Sequence, residues 1–151
     1  MSVETAEPLV VTHRYDAAPE PVFDAFLEPQ IARRFLFATA TGEMIEAEVE
    51  PRVGGRFAFT DHRPEMDVRH VGEYLEIDRP RRLAFSFGVP QFDPAMTTVT
   101  IEIAAVGAGC ELTLTHDGVA PEWRDGTAEG WAKILAGVLP AYEGVQAAGW
   151  R

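Results

Sequence analysis

Two side chains with proton chemistry, His70 and Tyr74, stand four residues apart in an alternating run from Val68 to Ile77. In a strand every second side chain shares a face, so Val68, His70, Gly72 and Tyr74 lie together and Arg69, Val71, Glu73 and Leu75 lie opposite. Gly72 between the pair marks either space or the close approach of another segment. An imidazole and a phenol on one face could hold a ligand hydroxyl or carbonyl, or could act as an acid/base pair. The alternative is a satisfied buried histidine and tyrosine. Phe35, Phe37, Phe57, Phe59, Phe85, Phe87 and Phe92 complete the aromatic set. They read either as the wall of a cavity for an apolar or aromatic small molecule or as ordinary core filling.

Other chemistry-bearing residues point to less. Asp61, His62, Arg63, Glu65, Asp67, Arg69 and His70 form a charged cluster, but its two histidines are eight residues apart across a predicted turn. A metal needs a compact set of definite geometry, so the cluster reads as a solvated loop and no metal site is expected. His13 and His116 are single strand histidines and read as structural. Cys110 alternates with Leu112 and Leu114 and reads as a buried strand residue; alone, it cannot form an internal disulfide. Gly54-Gly55 is followed by a strand and lacks the Lys-Ser/Thr of a phosphate loop. No nucleophile elbow, zinc-protease helix or dinucleotide fingerprint occurs, so no cofactor is expected and no catalytic residue is assigned.

The elements that must position these residues follow from periodicity. Leu9 to Tyr15 is a β-rich run. Ala18-Pro19-Glu20-Pro21 opens a helix with Val22, Phe23, Phe26 and Leu27 on its buried face, and Pro29 interrupts it. Gln30 to Arg34 forms a second short helix leading into Phe35-Leu36-Phe37, read as a return to strand. From Met44 the chain is an antiparallel meander. Ile45, Ala47 and Val49 form a dry face against Glu46, Glu48 and Glu50. Further strands carry Phe57 and Phe59, then His70 and Tyr74, then Leu83, Phe85 and Phe87. A loop spans Val89 to Ala95 with Phe92 in it. Two last strands carry Val99, Ile101 and Ile103, and Cys110, Leu112, Leu114 and His116, joined at Gly107-Ala108-Gly109. A long helix over about 126–142 closes the chain, capped by Asp125 or Thr127, with Trp131, Ile134, Leu135, Val138 and Tyr142 on one face. Pro140 should kink or fray its last turn. Residues 1–8 and 144–151 read as mobile ends.

The order is one strand, two short helices, six antiparallel strands and one long helix. It predicts an α+β fold: a curved seven-strand antiparallel sheet wrapped around the C-terminal helix as a helix-grip. Large side chains rarely fill the whole space beneath such a helix, so a cavity is expected there, with Trp131 and Leu135 among its lining.

Several motifs resemble a known family. Ala17 to Phe26 looks like the first helix of the START-like superfamily, also called SRPBCC or birch-allergen-like. Pro51-Arg52-Val53-Gly54-Gly55-Arg56-Phe57 is similar to the double-glycine turn of its subfamily named after the activator of heat-shock protein ninety (Hsp ninety) ATPase. Gly72 to Leu83 fits that subfamily's central hairpin. Thr113 to Gly118, then Gly130-Trp131 with Ile134-Leu135, match its closing strand and helix. The likeness spans about residues 9–142. The family often carries a tryptophan pair or Trp-Phe after the second helix, where this chain reads Arg33-Arg34-Phe35-Leu36-Phe37. The resemblance implies the helix-grip fold and a cavity more than any particular activity.

Composition bounds the rest. A chain of 151 residues with 46% hydrophobic and 25% charged residues is ordinary for one soluble domain. A net charge of −11 and the absence of a basic, aromatic-interleaved run argue against nucleic acid. No apolar run is long enough for a membrane span, and Met1 to Pro8 lacks a signal-peptide pattern, so a cytoplasmic location is expected. The favoured expectation is a binding domain for an apolar or aromatic small molecule. An enzyme of cyclase or hydrolase type in the same cavity is the second. It requires His70 and Tyr74 to meet. The third, implied by the subfamily, is a stress-response interaction protein that stimulates a chaperone ATPase. Pairing among relatives leaves a homodimer open.

Overall fold

Alternating apolar residues build most of this molecule. The computed structural model describes residues 7–39 and 41–147. Strand β1 (Leu9–Tyr15) is followed by short helices α1 (Pro19–Ala25) and α2 (Pro29–Ala32). Strands β2 (Glu43–Val49), β3 (Arg56–His62), β4 (Asp67–Asp78), β5 (Arg82–Val89), β6 (Asp93–Val106) and β7 (Gly109–Asp117) form a meander. Helices α3 (Arg124–Ala136) and α4 (Val138–Ala147) end it. The sheet is antiparallel throughout, in the order β1-β7-β6-β5-β4-β3-β2. This is the expected α+β helix-grip.

Three register shifts bend the sheet, between Met44 and Glu46, Tyr74 and Glu76, and Phe87 and Val89. An extra residue on one strand bends that strand and strengthens its local twist. The C-terminal helices fill the curve. Trp131, Leu135 and Val138 are buried there, each contributing roughly 1.5–3 kcal/mol by leaving water. The Tyr15 hydroxyl donates to the Leu135 carbonyl oxygen at 2.7 Å, tying α3 to edge strand β1.

Local differences from the sequence reading have identifiable causes. Phe35-Leu36-Phe37 is a turn, not a strand, and Phe37 adopts φ 62. Ile45 is exposed and Met44 is buried in its place, because the shift at Met44/Glu46 flips the alternation at that point. The Val89–Ala95 loop is a tight hairpin: β6 starts at Asp93, and Phe92 stands 55% exposed at the tip. The last helix begins at Arg124, ahead of Asp125 and Thr127, because a 3-10 turn over Pro121–Trp123 feeds directly into it. Trp123 occupies the cap position and no side chain caps the end.

That helix also breaks at Gly137, three residues before Pro140. Proline has no N–H to offer the Ala136 carbonyl, and its ring crowds that carbonyl, so the interruption falls one turn upstream. The Gly137 N–H reaches back to the Ile134 carbonyl oxygen at 3.0 Å, and α4 restarts. The chain does not loosen at Gly144: α4 continues to Ala147 and buries Val145. The remaining expected ends, 1–6 and 148–151, lie outside the described residues.

Candidate functional site

A groove of about 910 Å³ opens between α3 and the inner face of the sheet. Phe35, Phe37, His70, Phe87 and Trp131 border it, with Gly126, Gly130 and Ile134 on the helix side. Sequence reasoning expected eleven lining residues; the structure brings these five together. Phe57, Phe59, Tyr74, Phe85 and Leu135 are buried in the core instead. Phe92 is on the exposed hairpin tip, away from the groove. The space is thus an open groove beside Trp131, not a hollow beneath Leu135.

Phe37 is the hub. Its ring stacks on His70 at 4.5 Å and on Phe87 at 5.1 Å, and meets Trp131 edge-on at 5.9 Å. A bulky residue at positive φ strains the backbone by about 1–3 kcal/mol and persists only when its surroundings hold it. Here the aromatic contacts hold it. In place of a strand, the turn after α2 folds inward and delivers this ring to the groove floor.

His70 sits on β4 opposite Phe59. Its Nδ1–H donates to the Phe59 carbonyl oxygen at 3.2 Å. A neutral ring that donates through Nδ1 keeps a lone pair on Nε2, so Nε2 is the acceptor it can offer. Burial lowers the ring's pKa to about 4, the Phe59 carbonyl partly opposes this, and the nearby Arg63 charge adds to the lowering. His70 is therefore neutral at pH 7.

Tyr74 does not join it. An added Cβ on Gly72 would lie 2.5 Å from the Phe57 ring, so glycine here marks close approach rather than space. Phe57 fills the position between His70 and Tyr74. Tyr74 borders a separate void of only about 10 Å³ with Phe26, Leu36 and Phe85. Its phenol is raised above its ordinary pKa by burial. The pair required for acid/base work is divided by a phenylalanine ring.

The charged cluster on β3 and β4 is also divided. His62 and Asp67 pair on the exposed side. Asp61 faces inward with Phe57 and Phe59, and it is fully buried rather than solvated. Its Oδ2 accepts from Thr39 Oγ1 at 2.7 Å and from Arg63 Nε at 2.8 Å, fixing two residues of the groove rim. Among the described residues, Asp61 Oδ1 has no partner. No group of three or more metal-binding side chains occurs among them.

His116 closes the far side of Trp131. The Trp131 indole N–H donates to His116 Nδ1 at 2.9 Å. That fixes the proton on Nε2, which donates to Thr97 Oγ1 at 2.7 Å, and the Thr97 hydroxyl donates to the Phe87 carbonyl oxygen at 3.0 Å. Burial lowers this histidine's pKa to about 4 as well. Both ring nitrogens are spent on protein, which suits the structural role expected for it.

The family model described as activator of Hsp90 ATPase homolog 1-like protein matches residues 16–142. The chain belongs to this family. No curated protein is significantly similar in sequence. Among solved structures, a Rhodobacter sphaeroides protein is 26% identical, with TM-score 0.76 and 97% of each chain covered. A Chromobacterium violaceum protein is 21% identical, with TM-score 0.79, 91% of this chain and 97% of that one covered. A Staphylococcus aureus protein of unknown function is 14% identical, with TM-score 0.80, 97% of this chain and 99% of that one covered. These likenesses carry the fold.

This family member's groove includes residues that pattern reading overlooked. Arg34, Thr39, Arg63, Glu122, Trp123 and Lys133 all border it. Lys133 was visible as the chain's only lysine. Gly126 and Gly130 were visible as an i, i+4 glycine pair inside a helix. A second depression of about 630 Å³ lies on the outer sheet face, lined by Glu48, Glu50, Arg56, Arg69 and Glu73. Arg69 there is ion-paired with Glu46, and the depression contains no buried titratable group.

Proposed function

We propose that this protein binds an apolar or aromatic small molecule in the groove between α3 and the sheet. One observation carries the reading. Gly126 and Gly130 face the groove, and a Cβ added at either meets nothing within 4 Å. Inside α3, Gly130 costs the helix about 1 kcal/mol relative to alanine, and neither glycine has the positive φ or the crowded neighbour that would require it. The fold gains nothing from the bare backbone; an occupant of the groove would. Phe37, Phe87 and Trp131 offer it apolar surface, and His70 Nε2 offers one hydrogen-bond acceptor. Helix-grip members with this arrangement are suited to hydrophobic ligands. The acid/base alternative lacks its second member, because Tyr74 stands behind Phe57.

Gly130→Phe places a ring in the groove without a backbone clash. Native mass spectrometry of wild type purified from its own host should show a retained small molecule, and the folded variant should show none. An identical mass increment on both would put the ligand elsewhere. A wild type that carries nothing and whose Trp fluorescence does not respond to N-phenyl-1-naphthylamine would overturn the reading.

A further inference from the structure

We infer that the groove selects an amphiphilic anion: an aromatic or apolar body carrying one carboxylate or similar negative group. This rests on the binding reading above and adds the ligand's charge. The chain has 24 acidic and 13 basic residues, so a random surface groove would be lined mainly by carboxylates. This one is bordered by Arg34, Arg63 and Lys133 against a single acid, Glu122. Arg63 is partly neutralised by buried Asp61. Even with Asp61 counted, cations outnumber acids. Arg34 and Lys133 have no ion-pair partner among the described residues.

Geometry places the charges at the rim and the rings on the floor. Arg34 and Lys133 are exposed, whereas Phe35, Phe37 and Trp131 are buried. A ligand entering body first would leave its anionic group level with the two free cations. Long basic side chains suit this, since their stems can lie along apolar surface while the charged ends stay at the water boundary. The first turn of α3 borders the same space through Gly126, and no side chain caps that helix end. Its positive dipole end adds to the bias. Low-dielectric walls focus the potential, so a few cations in an otherwise acidic protein attract an anion selectively.

Two probes of nearly the same shape separate charge from fit. 1-Anilinonaphthalene-8-sulfonate carries a sulfonate, and N-phenyl-1-naphthylamine lacks it. With wild type at low salt, the sulfonate probe should bind about tenfold more tightly, the effect of one hydrogen bond to a charged group. In the double variant Arg34→Met, Lys133→Met, with an unchanged thermal midpoint, that preference should vanish. Equal affinities in wild type, or a preference that survives in the double variant, would overturn the charge inference and leave the groove reading standing. Failure of both probes to bind a wild type that carries no retained molecule would overturn both.

Discussion

His70 and His116 make a controlled comparison within one interior. Both face inward from the sheet, both are buried, and burial pulls both pKa values down to about 4. They differ in what their nitrogens do. His116 gives one nitrogen to Trp131 and the other to Thr97. His70 gives Nδ1 to a backbone carbonyl and borders the groove with the rest of its ring. The two rings therefore hold opposite tautomers. The difference separates a sealed half of the interior, built to stay shut, from an open half whose polar capacity is unfinished. Burial alone would not have told them apart; the hydrogen-bond inventory does.

The largest expected effect is on acid stability. An unfolded histidine takes up a proton near pH 6.5, whereas each of these rings resists until about pH 4. Between those values the unfolded state binds more protons, so stability falls as pH drops. Above 6.5 both states are neutral and nothing is lost. Each histidine should cost roughly 3 kcal/mol by pH 4, at 1.36 kcal/mol per pKa unit. Urea unfolding from pH 7.5 to 4 should show this slope, and His70→Gln and His116→Gln should each flatten it by one proton. Imidazole 15N shifts should report Nδ1–H for His70 and Nε2–H for His116. Ordinary titration of either ring near pH 6.5 would remove it from the comparison.

A smaller effect separates the two at constant pH. His116→Phe strands the Trp131 indole N–H in the core, and an unsatisfied buried donor costs about 1–3 kcal/mol. His70→Phe keeps a ring against Phe37 and removes only the bond to the Phe59 carbonyl, so it should cost nearer 1 kcal/mol. Denaturant midpoints at pH 7.5 measure both. Equal losses would mean that the groove side is as tightly accounted for as the sealed side.

The sealed half was legible in the sequence, whereas of the open half only Phe35, Phe37, His70, Phe87 and Trp131 were, and not the form of the groove they border. Cys110, Leu112, Leu114 and His116 alternate without interruption, and strict alternation fixes which face is dry. Leu135 and Val138 repeat at helical steps for the same reason. The groove depends on features that periodicity does not encode. Phe35-Leu36-Phe37 has a strand's composition, and nothing in those letters gives Phe37 its left-handed φ; the rings packed on it do. Ile45 misled because a register shift inserts one residue into the alternation. Gly72 was read correctly as space or close approach, yet only the opposing Phe57 decides which. Arg34 and Lys133 are ordinary surface residues until the turn after α2 and the helix α3 bring them to one rim.

The smallest effect tests the open half most directly, because its sign runs against expectation for a groove-lining change. Gly130 is half-buried, lies inside α3, and an added methyl there meets nothing within 4 Å. Alanine restricts the unfolded chain and suits the helix, so Gly130→Ala should stabilise the protein by about 0.5–1 kcal/mol. Gly137→Ala is the control at the C-terminal cap of the same helix, where the added group meets a neighbour. Its Cβ would lie 3.1 Å from the Phe35 Cβ, so most of that gain should be lost to crowding. Thermal melts of the two variants, with no ligand added, compare them. If Gly130→Ala destabilises, the backbone there is already closely packed, and the groove's bare helix face reflects packing rather than room left for an occupant.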